Sequence, residues 1–209
     1  MQIKYNAIPK KDVKVCTEDY TIQEALEVLE ETGFRCIPVL DKDNKKFMGN
    51  IYKSRIYEYM VKNAGPITDS IMKLIRDEDI VTYEDSSFFK IFFTIKKYPY
   101  VAVLKENGDF SGILTHANVM SLLEDSWGVK TGSYALTIST HEYQGALKNI
   151  VTIIKKYCNI QSLLTLDNES TFLRRVIVTL PKDTTEKQFH EIVQKLEREG
   201  FRVFDIEKF

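Results

Sequence analysis

The chain has 209 residues and a formal net charge of −1, from 29 lysines and arginines against 30 aspartates and glutamates. Hydrophobic residues make up 44% of it and charged residues 28%, which is typical of a globular protein and excludes a largely disordered chain. The near-neutral charge gives no general attraction to nucleic acid or anionic lipid, and no apolar run approaches the ~20 residues that a membrane-spanning helix needs. Because the residues after Met1 also lack the apolar core of a signal peptide, we expect a cytoplasmic protein with neither a nucleic-acid nor a membrane partner.

The sequence carries no motif of an enzyme active site or of a metal site. The three cysteines lie far apart, and no two of the three histidines lie four residues apart, so neither a disulfide framework nor a zinc site is predicted. The spacings typical of phosphate-binding loops, dinucleotide folds, nucleophile elbows and zinc-protease helices are missing as well. We therefore expect a protein that is not an enzyme and that needs no cofactor and no metal.

The organisation of the chain is more informative, because two segments resemble each other at an offset of about 65 residues. In the first repeat, a short strand precedes a helix with apolar residues at helical spacing from Ile22 to Leu29. Thr21 is placed to cap this helix and Gly33 to end it. The remaining predicted elements are strands at 36–40 and 47–52, joined by a polar turn, and a helix at 54–62.

The second repeat follows the same order after a break at Gly65 and Pro66 and a bridging stretch over 67–75 that is predicted to be helix-like. Its first helix carries an aromatic stripe between Phe88 and Phe93, which helical spacing assigns to core or interface packing in preference to a ligand platform. Its other predicted elements are a short strand that leads into a polar turn at 84–85, strands at 100–104 and 110–115, and a helix at 117–125.

The C-terminal third begins after a glycine-containing break at 127–132 and has a different order. Its predicted order, strand–helix–strand–strand–helix–strand, is the ferredoxin-like split arrangement. The breaks predict three domains, at 1–66, 67–128 and 129–209. The predicted elements of the C-terminal third are strands at 134–140, 161–166, 172–180 and 201–206, and two helices, one at 145–157 and one after a cap at Thr184 or Thr185.

The doubled unit resembles a pair of CBS domains. The residues that carry this are 33–41 (GFRCIPVLD) with Gly49 in the first repeat, and 112–118 (GILTHAN), which fits the family's G-h-h-T-x-x-[DN] ending, in the second. The C-terminal third resembles an ACT domain, with 142–147 (EYQGAL) in place of that family's D-x-x-G-x-L turn. Over about residues 10–209 the chain is similar to the CBS–ACT proteins of low-GC Gram-positive bacteria. The resemblance implies an α+β fold of tandem CBS repeats, each β-α-β-β-α, followed by a ferredoxin-like βαββαβ ACT domain.

The resemblance implies a nucleotide cleft formed by the end of the second repeat and the middle of the first. Thr115, His116 and Asn118 lie where a strand meets a helix, and the free N–H groups and helix dipole there favour a phosphate. In CBS proteins this motif binds the ribose-phosphate of adenine nucleotides, whereas in isolation Thr115 also fits a helix cap and Asn118 a helix surface. From the first repeat, Cys36, Ile37 and Pro38 are expected against a purine, and Arg35 either meets a phosphate bidentately or is a solvated connector residue.

The other cleft of the pair departs from the family pattern. Tyr52 stands at the threonine position and Arg55 at the aspartate position, so the usual carboxylate for ribose is missing. Tyr100 is expected to line the same cleft. An aromatic residue and cations there fit base stacking and phosphate contact, which suits a ligand with two bases and two phosphates.

Within the CBS–ACT proteins, the strings at 33–41 and 49–53 look closer to the cyclic di-AMP-binding members than to the acetoin-utilisation members. The resemblance therefore implies a non-enzymatic regulatory protein that binds cyclic di-AMP through its CBS pair and signals to a protein effector that the sequence does not identify. The two families that the chain resembles usually self-associate, so a homodimer is expected. One alternative is an adenylate sensor for AMP, ADP or ATP of the acetoin-utilisation type. Another is an amino-acid-responsive ACT regulator with its ligand at the turn of Glu142 and Gly145, although this turn also fits dimerisation without a ligand.

Overall fold

A computed structural model describes residues 3–141, 145–166 and 173–209. The chain divides into two compact units, Met1–Met120 and Ser121–Phe209. Helices and strands mix in both units, which confirms the predicted α+β class. The helices and strands are β1 (Ile8–Pro9), β2 (Cys16–Thr17), α1 (Ile22–Thr32), β3 (Cys36–Leu40), β4 (Phe47–Tyr52), α2 (Lys53–Val61), β5 (Val81–Tyr83), α3 (Phe88–Ile95), β6 (Tyr100–Leu104), β7 (Phe110–Thr115), α4 (His116–Trp127), β8 (Gly132–His141), α5 (Ala146–Ile154), β9 (Ser162–Leu166), β10 (Leu173–Pro181), α6 (Glu186–Arg198) and β11 (Arg202–Lys208).

The first repeat forms a three-stranded sheet of order β2-β3-β4, in which β2 runs parallel to β3 and β4 runs antiparallel to it. Helix α1 begins at a capping box, because the Thr21 hydroxyl accepts from the Glu24 N–H at 3.2 Å and the Glu24 carboxylate accepts from the Thr21 N–H at 2.8 Å. The helix ends at Gly33 with φ of 69°, a left-handed conformation that glycine adopts without strain. Both predicted ends of this helix are thus confirmed.

The second repeat forms a four-stranded sheet of order β1-β7-β6-β5. Its outermost strand, β1, comes from the N-terminal segment that precedes the first repeat, and it pairs Ile8 with Ile113 and Pro9 with Gly112. The equivalent place in the first repeat is taken by the segment between the repeats, where Arg76 bridges Asn50 with hydrogen bonds of 2.8 and 3.0 Å. In both repeats, therefore, a segment from outside the repeat covers the edge of its last strand, which is β4 in the first repeat and β7 in the second.

Gly112 permits the close approach of β1, since a Cβ built there would lie 2.0 Å from the Ile8 carbonyl oxygen. We expect Gly112→Ala to lower the free energy of unfolding by about 1–3 kcal/mol, because strand β1 must move away from β7. Gly49→Ala is the matched control: Gly49 also has a positive φ, and its Cβ would lie 3.1 Å from the Arg76 carbonyl oxygen. Urea denaturation measures the free energy of unfolding of both variants, and we expect the larger loss for Gly112→Ala. Equal losses of unfolding free energy would contradict this account of Gly112.

The C-terminal unit forms an antiparallel sheet of order β11-β8-β10-β9, the ferredoxin-like order. Helix α6 begins at a capping box between Thr185 and Gln188, which identifies Thr185 as the cap. Along β8 and β10 every second side chain lies in the core, as the period of two in a strand requires. These core residues, all fully buried together with side chains of α5 and α6, are Leu136, Ile138, Val176, Val178 and Leu180.

No helix within the described residues is long and apolar enough to cross a membrane.

Candidate functional site

The first unit contains a cleft of about 370 Å³ between the two repeats, which we call the first cleft. Three segments line it: the N-terminal segment with Ile8, the connector between α1 and β3 with Phe34, and the strands β6 and β7 of the second repeat. The predicted residues that the structure brings together here are Arg35, Cys36, Pro38, Tyr100 and Thr115.

The first cleft has apolar walls and a basic rim. Phe34 is 52% exposed beside it, and Tyr100 is almost fully buried at its wall. Arg35 and Lys14 are both exposed at the rim with Asp12, and within the described part of the chain the Arg35 side chain forms no ion pair. A flat apolar group inside and an anionic group at the rim would satisfy these side chains, because an unpaired guanidinium is a strong bidentate partner for phosphate.

Thr115 and Asn118 are hydrogen-bonded to each other at the start of α4. The Thr115 hydroxyl accepts from the Asn118 N–H at 3.2 Å, and the Asn118 side-chain oxygen accepts from the Thr115 N–H at 3.2 Å and from its hydroxyl. This is a reciprocal helix cap. Thr115 also lines the first cleft, whereas Asn118 and the exposed His116 are not among its lining residues.

A second cleft, of about 440 Å³, shares Arg35, Cys36 and Pro99 with the first. Its other lining residues include Tyr52 and Lys53, at the end of β4 and the start of α2. The shared residues make the two clefts neighbours on either side of the connector. The remaining lining residues of the second cleft, Ser54 and Tyr57, add hydroxyl groups.

Besides His116 and Asn118, three more predicted site residues lie elsewhere than expected. Arg55 forms an ion pair with Glu58 at 3.1 Å, one turn along α2, and lines neither cleft. Ile37 is fully buried in the core of the first repeat, because successive side chains of β3 point to opposite faces of the sheet. Tyr100 lines the first cleft and not the second.

A buried hydrogen-bond network forms the floor between the clefts. The Cys36 thiol donates to the Tyr100 hydroxyl at 3.5 Å, and that hydroxyl donates to the side-chain oxygen of Asn50, which is 3% exposed. The Tyr52 hydroxyl donates to the Asp77 carboxylate. Burial raises the pKa of both tyrosine hydroxyls, so each keeps the proton that it donates. The network therefore fixes Tyr100 and Tyr52 in place as walls of the two clefts.

Burial raises the pKa of the Cys36 and Cys16 thiols from 9.0 to about 11. The folded protein therefore binds these protons more tightly than the unfolded chain does, and the resulting stability is present below about pH 9 and is lost as the pH rises toward 11. We expect urea denaturation to show this fall in the free energy of unfolding, with a shallower fall for Cys36→Ala. Burial also raises the pKa of the half-buried Cys158 thiol, so Cys158→Ala is a comparison at a less buried thiol and should flatten the fall less than Cys36→Ala does. A slope for Cys36→Ala identical to that of the unmodified protein would contradict the assignment.

Lys14 and Asp12 were missed by the sequence analysis, although they line the first cleft. They follow β1, and their position depends on the pairing of Ile8 with Ile113, more than a hundred residues away. No local pattern indicates a pairing across such a separation.

The predicted turn of the C-terminal unit is described only in part. Glu142 lies outside the described residues. Gly145 precedes α5 with φ of 98°, a conformation that a side chain would strain, and a Cβ there would meet no atom within 4 Å. In the residues that the structure describes, no group of three or more histidine, cysteine, aspartate or glutamate side chains could hold a metal ion.

Comparison with known proteins gives one family match and several structural neighbours. The family model described as CBS domain matches residues 6–62, and no curated protein matches the chain. A crystal structure of CbpB in complex with c-di-AMP is 23% identical, with 59% of this chain and 85% of that chain covered and a TM-score of 0.54.

Two further solved structures extend the comparison. A CBS domain pair/ACT domain protein from Thermotoga maritima is 17% identical over 59% of this chain and 96% of that one, with a TM-score of 0.50. A structure of CBSX2 in complex with AMP is 17% identical over 58% of this chain and 95% of that one, with a TM-score of 0.50. At these identities the likeness is one of fold.

Proposed function

We propose, on the premise that this chain is a CBS-domain protein, that it is a nucleotide-binding regulator and not an enzyme. The observation that carries the proposal is the Arg35 guanidinium, which has no ion-pair partner among the described residues and lies at the rim of a cleft with apolar walls. The cleft has space for a base, and Arg35 and Lys14 are the cations that would meet its phosphate. Population shift is the mechanism: a ligand that binds one arrangement of the repeats more tightly stabilises that arrangement.

We further propose cyclic di-AMP as the ligand, bound across the first and second clefts. Arg35 belongs to both clefts, and each cleft adds an aromatic wall and a second cation: Phe34 and Lys14 in the first, Tyr52 and Lys53 in the second. A cyclic dinucleotide has two bases, which suit the two clefts, and two phosphates, which suit the shared arginine. The likeness to CbpB in complex with c-di-AMP supports this ligand.

An adenylate such as AMP is the second candidate. The first cleft alone, at about 370 Å³, lies within the usual range for a small-molecule site and provides one base wall and one pair of cations. The likeness to CBSX2 in complex with AMP favours this reading. A mononucleotide in the first cleft would leave the second cleft empty, which is why we place it second.

Calorimetric titration with cyclic di-AMP, AMP, ATP and cyclic di-GMP tests the proposal. We expect cyclic di-AMP to bind at micromolar concentration or tighter and at least about tenfold more tightly than the others. If AMP or ATP binds tightly and cyclic di-AMP does not bind, the ligand is an adenylate and not cyclic di-AMP. No binding of any of the four would overturn the nucleotide-binding role itself.

The remaining parts of the proposal concern assembly and location. We propose three domains with the boundaries predicted above, a homodimer, and an effector protein contacted through the ACT-like C-terminal unit. The ferredoxin-like strand order of the C-terminal unit supports the ACT assignment. A cytoplasmic location fits the three free cysteines, because a reducing compartment keeps thiols unpaired.

A further inference from the structure

The C-terminal unit has a cavity of about 480 Å³ on the sheet face opposite to α5 and α6. Three strands supply its floor, where Thr137 faces Ile177 and Ile177 faces Leu164 across the sheet. In the next row Ala135 lies between Thr179 and Glu207. This cavity lies within residues 127–209 and shares no residue with either nucleotide cleft.

The cavity owes its depth to small side chains in the middle and large ones around them. Ala135 and Thr179 form the floor, and Trp127, Leu166 and Phe209 stand beside it with 39–47% of their surfaces exposed. The wall at Trp127 is anchored to the sheet. Its carbonyl oxygen accepts from the Thr179 hydroxyl at 2.7 Å and from the Ser162 hydroxyl at 2.9 Å.

The polar groups of this cavity favour a cation. Glu207 is exposed at the cavity, and its carboxylate forms no ion pair among the described residues. Thr137 contributes a hydroxyl group, and the rest of the lining is predominantly apolar. Aromatic side chains such as Trp127 and Phe209 also attract cations, whereas an anionic ligand would be repelled by the carboxylate.

We propose that this cavity, which we call the sheet-face cavity, binds a small organic amine with an aromatic or branched aliphatic body. The apolar body occupies the space above Ala135 and Thr179, and the ammonium group pairs with the Glu207 carboxylate. Sites of this size, apolar with a few convergent polar groups, are the usual form of small-molecule sites. This inference is independent of the nucleotide proposal.

Ligand-detected NMR on the full chain with tryptamine and indole-3-acetate tests the inference. We expect saturable binding of tryptamine with a Kd of about 1 mM or tighter, and binding of indole-3-acetate at least about tenfold weaker. Glu207→Gln should lower the affinity for tryptamine to about that for indole-3-acetate. Glu197→Gln, at an exposed carboxylate on α6, is the matched control and should change neither affinity.

Ala135→Phe fills the floor of the cavity and should abolish tryptamine binding, while circular dichroism and the urea denaturation of the full chain show that the variant remains folded. Tryptamine binding that survives Ala135→Phe, or equal affinities of the amine and the acid, would overturn the inference. Absence of tryptamine binding to the unmodified chain would also overturn it. If Ala135→Phe instead dissociates a dimer, a second copy covers this face and the small-molecule site is wrong.

Discussion

Arg35→Ala is expected to weaken cyclic di-AMP binding by about 30-fold or more, equivalent to about 2 kcal/mol, the range for hydrogen bonds to a charged group. Arg35 lines both clefts and is exposed with no ion-pair partner in the described part of the chain, so its guanidinium is free to meet a ligand phosphate. Arg35→Lys keeps the charge but loses the bidentate geometry, so its affinity should fall between those of Arg35→Ala and the unmodified protein.

Arg55→Ala is the matched control for this experiment. Arg55 is also an arginine of the first repeat, but it forms an ion pair with Glu58 and lines neither cleft. Calorimetry should therefore show less than about a threefold change for Arg55→Ala. A larger loss for Arg55→Ala than for Arg35→Ala would exchange their roles and support the sequence-based expectation that Arg55 meets a ligand phosphate.

Arg35 and Arg55 also show how far the sequence predicted the site. Both were candidates because of their positions in family motifs, and local chemistry separates them. Arg55 has a glutamate three residues later on the same helix face, a spacing at which an ion pair forms, whereas Arg35 lies in a connector between α1 and β3. The i,i+3 pair was therefore visible in the sequence and was not weighed against the motif.

The strand β3 gives a second example of a signal that was available. Cys36 and Pro38 line the first cleft, while Ile37 lies in the core beside Val39. The period of two along a strand requires this division, so Ile37 could have been excluded as a cleft residue. By contrast, the position of Lys14 depends on the pairing of β1 with β7, and only long-range packing determines that pairing.

The helices were predicted well where capping and periodicity agreed. Helix α1 has its cap at Thr21, its stop at Gly33 and its apolar face at the predicted residues. The segment between the repeats was predicted to be helix-like over 67–75, but it forms only a 3₁₀ turn at Ile71–Lys73 and then pairs Arg76 with Asn50. Pairing with β4 satisfies backbone groups that a longer helix would have used internally.

Helix α3 has an exposed aromatic face, which predicts a role in self-association. Its buried face carries Phe88, Ile91 and Ile95, yet Phe89 and Phe93, one turn apart on the other face, are 74% and 79% exposed. The equivalent positions of α1 are the exposed polar residues Gln23 and Glu27. Because burial of a phenylalanine side chain contributes about 1.5–3 kcal/mol, this aromatic surface favours contact with a second copy.

The double variant Phe89→Ser, Phe93→Ser is expected to be monomeric at concentrations where the unmodified chain is a dimer. In a twofold-symmetric dimer the double substitution removes four phenylalanine side chains from the interface. Dimer affinity should therefore fall by at least about 1000-fold. Sedimentation velocity measures this. The free energy of unfolding of the monomer should change little, since neither side chain contributes to the core.

Val61→Ser is the control, because Val61 is an apolar residue that is 82% exposed but lies on α2 and not on α3. Its dimer affinity should match that of the unmodified chain. If the unmodified chain is itself monomeric at micromolar concentration, or if the double variant remains a dimer, then α3 does not mediate self-association. In the first case the exposed phenylalanines would need a different partner, and in the second the dimer contact would lie on another surface of the chain.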